Sequence, residues 1–264
     1  MMGESLFVEE RRRAILDQLK QNGRVSVKAL SEAMSVSAVT IRQDLRALEE
    51  EGLLERTYGG AVRRENPPAL LELSFHTRLK KQRRAKEAIA AAAAALLRED
   101  MSIAMDASTT VYAMVPHLKN CPKLTVVTNG LTIAHSLLDS PHIQVLLPGG
   151  RLRRDSISIV GNPHGLPDIN VNIGFFGAHG LSLQSSASDV DADEVSLKRA
   201  MVERSAAVVI LVDGAKWGQI APYTFARFGQ MERIITTDDA PADQVAQVQA
   251  AGTRVDVVTV EQGE

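Results

Sequence analysis

A chain of 264 residues with 45% hydrophobic content has room for one small domain and one of ordinary size, each with its own core. Its formal net charge of −2 excludes a general polyanion binder, so any contact with nucleic acid must be a local patch. Cys121 is the only cysteine, which excludes an intrachain disulfide and suits a reducing compartment; before Pro122 in a short loop it reads as inert. No N-terminal stretch has the charged-then-apolar pattern of a signal peptide, and the uncharged run Ala88–Leu97 is about half a membrane span. A cytoplasmic protein without membrane attachment is expected.

In chain order, Val8 to Gln21 forms an amphipathic helix with Ile15, Leu16 and Leu19 inward, ended by Asn22-Gly23. Arg24-Val25-Ser26 is a short extended piece, and Ser26 caps a second helix through Met34. Ser35-Val36-Ser37 is a tight turn, and Ser37 caps a third helix in which Ile41, Leu45 and Leu48 make one buried stripe. Thr40, Arg42, Gln43 and Arg46 occupy the other side, with side chains able to donate to phosphates or base edges. Gly52 suits the helix end, and Leu53–Arg56 and Ala61–Arg64 flank the glycine turn Thr57-Tyr58-Gly59-Gly60 as a hairpin. This is the order of a winged helix-turn-helix, whose second helix enters the major groove. An amphipathic bundle with a hairpin also serves as a protein-interaction module, and residues 1–65 hold eleven Lys and Arg against eleven Asp and Glu. The positive charge is local: Arg42, Arg46, Arg56, Arg63 and Arg64 gather near the recognition end, while Glu49, Glu50, Glu51 and Glu55 lie past it.

Residues 11–64 resemble the winged helix-turn-helix of the DeoR family of bacterial sugar-catabolism regulators. The resemblance is carried by Val36-Ser37, Thr40-Ile41-Arg42, Asp44-Leu45, Leu48, Gly52, Arg56 and Gly59-Gly60-Ala61. Tyr58 departs from the His usual in the family. The resemblance implies binding to double-stranded operator DNA through Ser37, Thr40, Arg42, Gln43, Arg46, Arg56 and Tyr58.

Glu65-Asn66-Pro67-Pro68 breaks helix and strand patterning, so residues 65–74 read as a linker between a DNA-binding domain, 1–64, and a second domain, 75–264. The basic stretch Arg78–Lys86 reads as a solvated helix start merging into the alanine-rich Glu87–Leu97. Beyond Met101, strand patterns at 101–106, 123–128, 143–148, 173–178, 206–213, 232–237 and 254–260 alternate with helix patterns at 108–119, 131–138, 191–204 and 241–250. That alternation calls for an α/β domain with a largely parallel sheet covered on both faces. Residues 149–172 read as loops plus a short strand near Ser156–Val160.

Ligands of open α/β sheets bind outside the carboxyl ends of the strands, where the informative residues of this domain fall. Asp106-Ala107-Ser108-Thr109-Thr110 follows the first strand and opens a helix, an arrangement that suits an anion as well as ordinary capping. Thr128-Asn129-Gly130, Gly149-Gly150-Arg151, Gly177-Ala178-His179-Gly180 and Asp213-Gly214-Ala215-Lys216 follow the next four strands. Such a run of small and polar strand ends suggests one shared pocket. Asp189, Asp191, Asp193 and Glu194 crowd a helix start, where they complement the dipole; Glu194 and Lys198, one turn apart, either face the pocket or pair on the surface.

This set resembles the DeoR sensor domain, similar in fold to ribose-5-phosphate isomerase, over about residues 76–260. The resemblance implies a phosphate-binding loop at Asp106, Ser108, Thr109 and Thr110, with Thr128, Asn129, Asp213 and Lys216 at the matching turns; Gly149, Gly150, His179, Glu194 and Lys198 complete the candidate effector site. His179 stands where relatives commonly carry Asp, and the Ser185–Ser188 region replaces a usual Gly-Leu-Thr. The six histidines lack metal-ligand spacing and no GxGxxG occurs, so neither metal nor cofactor is expected. The expected function is a repressor of a carbohydrate-catabolism operon, not an enzyme, controlled by a phosphorylated sugar and working as a homodimer or homotetramer, because one short helix reads too few base pairs. The alternatives are a sugar-phosphate isomerase with an accessory DNA-binding domain, which would need a carboxylate base such as Asp106, Glu194 or Asp213, and a protein-binding scaffold.

Overall fold

The computed structural model describes residues 8–50, 54–62 and 74–260, and its contacts divide the chain between Thr77 and Arg78. Gly52, the arginines 63 and 64 and most of the expected linker lie outside the described residues.

The first unit runs α1 (Val8–Asn22), β1 (Arg24–Ser26), α2 (Val27–Met34), α3 (Ala38–Glu50), β2 (Glu55–Thr57) and β3 (Gly60–Val62). Ser26 caps α2, its hydroxyl accepting from the Ala29 amide. The α2–α3 turn is closed by Ser35 in the left-handed region at φ 52° and by the Val36 amide donating to Ser31 O. Ile15, Leu19, Leu30, Ile41, Leu45, Leu48 and Leu54 form the core, the stripe that the helical spacing predicts. β3 pairs with both β2 and β1, so Arg24–Ser26 is a third wing strand. Gly60 is required there: a Cβ would stand 2.0 Å from Val25 O.

The division falls within α4 (Phe75–Lys80), and the second unit continues with α5 (Arg83–Ala94), β4 (Met101–Met105), α6 (Thr109–Tyr112), α7 (Val115–Leu118), β5 (Leu124–Thr128), α8 (Leu131–Ser136) and β6 (Ile143–Leu146). There follow β7 (Arg151–Arg153), β8 (Ser158–Val160), β9 (Val171–Gly177), β10 (Gly180–Ser182), β11 (Ser186–Asp189) and α9 (Ala192–Glu203). The unit ends with β12 (Ser205–Leu211), β13 (Tyr223–Ala226), β14 (Arg233–Thr237), α10 (Ala242–Ala250) and β15 (Arg254–Val258). A seven-stranded sheet has the order β15-β14-β12-β9-β4-β5-β6 with every pair parallel. Alternate residues of its strands feed two cores: Phe176, Val208 and Ile210 pack with α9 and α10, while Phe175, Val209 and Leu211 pack with α5 to α8.

The expected helix over 108–119 is two short helices, because Pro116 cannot donate its amide. Residues 149–172 hold the hairpin β7–β8 where one short strand was expected. β10, β11 and β13 form a small antiparallel sheet absent from the sequence reading. The chain reverses its building direction between β4 and the central strand β9, its neighbour. That is the topological switch point, where an open sheet leaves a crevice.

Candidate functional site

Register sets the rim. Met105 is level with Thr128 and with Phe175, and Gly177 with Leu211, so the turns after β4, β5, β9 and β12 share one edge. At the switch point Asp106 is fully buried: Oδ2 accepts from the Gly177 amide at 2.9 Å and Oδ1 from the Ser108 amide at 3.0 Å. The fit depends on glycine, since a Cβ at Gly177 would stand 2.3 Å from Ser108 Oγ. Ser108 caps α6, accepting from the Val111 amide, and Thr109 and Thr110 are nearly buried with no hydrogen-bond partner for either hydroxyl among the described residues.

Lys198 of α9 enters the same crevice. Its Nζ lies 2.8 Å from Asp106 Oδ2, contacts Asp189 Oδ2 and donates to Gly177 O at 3.0 Å, with the Phe225 ring at 4.8 Å. Burial alone would lower the Lys198 pKa, but Asp106, Asp189 and Glu194 outweigh it and raise it above the usual lysine value. Burial would likewise raise Asp189, but Lys198 and His179 hold it well below the usual carboxylate range. His179 Nδ1 is 2.5 Å from Asp189 Oδ1. Asp189, left out of the expected site, therefore joins Lys198 to His179. Polarity hid it: β11 is Ser-Ala-Ser-Asp, buried throughout yet without apolar alternation.

Glu194 and Lys198 are both buried and neither is the other's ion-pair partner, so a surface pair is excluded. Glu194 instead accepts from Ser158 Oγ at 2.7 Å and faces Arg153 Nη1 at 3.5 Å. Arg153 also reaches Asp191, and Arg151 pairs with Asp193 at 2.6 Å, so hairpin β7–β8 is clasped to the start of α9. Asp191 caps that helix. Thr128 Oγ1 accepts from the Gly130 amide, and Asn129 donates to Ile159 O while its buried Oδ1 has no partner among the described residues. Gly149 and Gly150 form the foot of the hairpin, Gly150 packing so closely that a Cβ would meet Val160 O at 2.4 Å.

Asp213 and Lys216 lie at the end of β12 and act electrostatically on Lys86. Asp213 is buried, its Oδ1 lacking a partner among the described residues. Lys86 departs from the solvated reading of its segment: it is 6% exposed, its Nζ donating to Arg78 O and, at 2.6 Å, to Lys81 O. Burial, with Lys216, Arg78 and Lys81, lowers its pKa to about 8 against the opposing pull of Asp213. Lys81, Arg83 and Arg84 remain exposed as expected. Among the described residues no group of three or more His, Cys, Asp and Glu is arranged to hold a metal ion.

On the first unit, Ser37 Oγ accepts from the Thr40 amide at 3.1 Å and meets Thr40 Oγ1 at 2.8 Å. Arg42, Gln43 and Arg46 are exposed along α3, and Tyr58 projects fully into solvent at the hairpin tip. Arg56 is tied to Glu49, its amide donating to Oε1 and its Nη1 lying 3.7 Å from Oε2. Asp44, opposite the exposed face, is buried against Arg11 and Arg12. No helix among the described residues is long and apolar enough to cross a membrane.

Two family descriptions match this chain: a DeoR-like helix-turn-helix domain over residues 11–66 and a DeoR C terminal sensor domain over residues 81–238. Among solved structures, ribose 5-phosphate isomerase from Plasmodium falciparum is similar at a TM-score of 0.38 and 12% identity, over 50% of this chain and 52% of its own. The HTH-type transcriptional regulator GolR of Listeria innocua is 32% identical over 96% of this chain and 99% of its own length. The glycerol-3-phosphate regulon repressor of Escherichia coli is 32% identical over 90% of this chain and 94% of its own. With both domains matched in order and relatives aligned along nearly its whole length, the chain belongs to the DeoR family of transcriptional regulators.

Proposed function

We propose that this regulator represses a carbohydrate-catabolism operon in the cytoplasm, as a homodimer or homotetramer on double-stranded operator DNA, and that a phosphorylated sugar controls it. The observation that carries the reading is the loop Asp106–Thr110, bonded across the switch point to Gly177, with two hydroxyls left without protein partners. Thr109 and Thr110 donate to the phosphate of the effector. Arg42, Gln43 and Arg46 contact the operator from the exposed side of α3, and the segment 65–74 joins a reading head to a sensing domain. Asp106 has both oxygens filled by Ser108, Gly177 and Lys198, so it is not free to abstract a proton, which favours sensing over turnover. A ligand shifts an equilibrium only by its differential affinity, so the effector binds one arrangement of the paired heads more tightly than the other.

A thermal-shift screen against sugar phosphates, followed by a DNA-binding titration with the best ligand, tests this. The expected result is a raised melting temperature and a changed affinity for operator DNA. Consumption of the ligand by the pure protein would replace the reading with an isomerase.

A further inference from the structure

A groove of about 530 Å³ opens between α5 and the α6–α7 segment, within the size range of small-molecule sites. Thr109 lines it, so the groove is continuous with the loop assigned above to the phosphate. Tyr112 and Pro116 line it together with the cations Lys80, Arg83, Lys86 and Lys119. One carboxylate, Glu87, also lines it, and Glu87 is already paired with Arg83 at 2.8 Å. Neither Lys80 nor Lys119 has a carboxylate partner among the described residues. Lys86 spends two of its three ammonium hydrogens on Arg78 O and Lys81 O, leaving one for a ligand. Burial first, and then Lys216, Arg78 and Lys81 against the pull of Asp213, hold its pKa down to about 8.

A single phosphate on Thr109 and Thr110 leaves this concentration of cations unused. We propose that the groove is a second anionic subsite and that the effector is a sugar bisphosphate, one phosphate on Thr109 and Thr110 and the other on Lys80, Lys86 and Lys119. The carbon frame lies beside Tyr112, Ala113 and Pro116, whose apolar surface suits the C–H face of a sugar. The inference rests on the phosphosugar reading and narrows it to a ligand class.

The test is calorimetric titration of the full chain with fructose 1,6-bisphosphate and glucose 1,6-bisphosphate, each against its own 1- and 6-monophosphates. At least one bisphosphate is expected to bind about tenfold or more tightly than either of its monophosphates. The variant Lys80→Gln, Lys119→Gln alters only exposed side chains. It should lose most of that preference while keeping the monophosphate affinity and the melting temperature. Equal binding of mono- and bisphosphates, or an unchanged preference in the variant, overturns the second subsite and leaves the phosphosugar reading standing. Failure of every sugar phosphate to bind overturns both.

Discussion

Arg11 and Asp44, 33 residues apart, meet at 2.5 Å inside the first unit, with both side chains buried. The pair fastens α1 to α3 from the side opposite the exposed arginines, so it sets the orientation of the reading helix. Removing one partner of a buried pair leaves the other charge desolvated. Asp44→Leu should therefore destabilise this unit by about 3–5 kcal/mol in urea unfolding. Arg11→Met combined with Asp44→Leu should recover much of the loss, and a single variant as stable as the parent would refute the pairing.

Arg42→Ala with Arg46→Ala should leave the melting temperature near that of the parent, since both positions are exposed. Each base-reading arginine lost should cost on the order of 1–3 kcal/mol of operator affinity and relax sequence preference, whereas a phosphate contact would weaken all sequences alike. Titrations against operator and scrambled DNA separate the cases. Unchanged operator binding would move the contact elsewhere.

Thr109→Val with Thr110→Val keeps the shape of the loop and deletes two hydroxyl donors, each worth roughly 1.5–3 kcal/mol towards a charged partner. DNA affinity should stay near the parent value while its response to the effector disappears. A variant that still responds places the phosphate elsewhere.

Lys198→Met leaves Asp106 and Asp189 buried without their cation, and a loss of about 3–5 kcal/mol is expected in denaturant unfolding. The pH dependence has two signs. Asp189 has a lowered folded pKa, so its contribution is present above the unfolded carboxylate value near ~4 and fades as the solution is acidified below it. Lys198 has a raised folded pKa, so its contribution is complete below the unfolded value near ~10.4 and fades in stronger alkali. The contribution of these two groups to the parent's own stability should be flat from about pH 5 to 9 and shrink outside that window.

Lys86 has the opposite sign. Its folded pKa of about 8 lies below that of an unfolded lysine, so between those values the unfolded chain holds more protons and stability rises with pH. Against Lys86→Met, the parent should gain on the order of 1–3 kcal/mol from pH 7 to pH 10. The slope reports the burial of the ammonium first, and then Asp213, Lys216, Arg78 and Lys81 together. A constant difference across that range would show Lys86 titrating normally.

Apolar periodicity made the frame readable. The strands of the parallel sheet differ from their expected ranges by at most two residues at either end, because each holds a short cluster of apolar residues bounded by turn formers. The reading failed where burial is polar. Asp189 sits in a strand without an apolar residue larger than alanine, and its burial depends on Lys198, nine residues away, and on His179. Lys86 looked like one more member of a charged segment, and only the carbonyls of Arg78 and Lys81, turned back towards it, reveal a buried ammonium. Both are pairings between side chain and fold, which no local pattern encodes.

The clasp between hairpin β7–β8 and α9 is built partly from exposed charges, Arg151 at 68% and Asp193 at 56% side-chain exposure, whereas Lys198 and its carboxylates are shut away from solvent. Mobile ions screen the first kind of contact over about 8–10 Å near physiological ionic strength and barely reach the second. Rising salt should therefore slacken the hairpin over the ends of the strands while the crevice beneath keeps its shape. Ligand affinities measured at different salt concentrations would then differ through access to the rim as well as through direct screening of a phosphate's charge, with the geometry of the crevice unchanged.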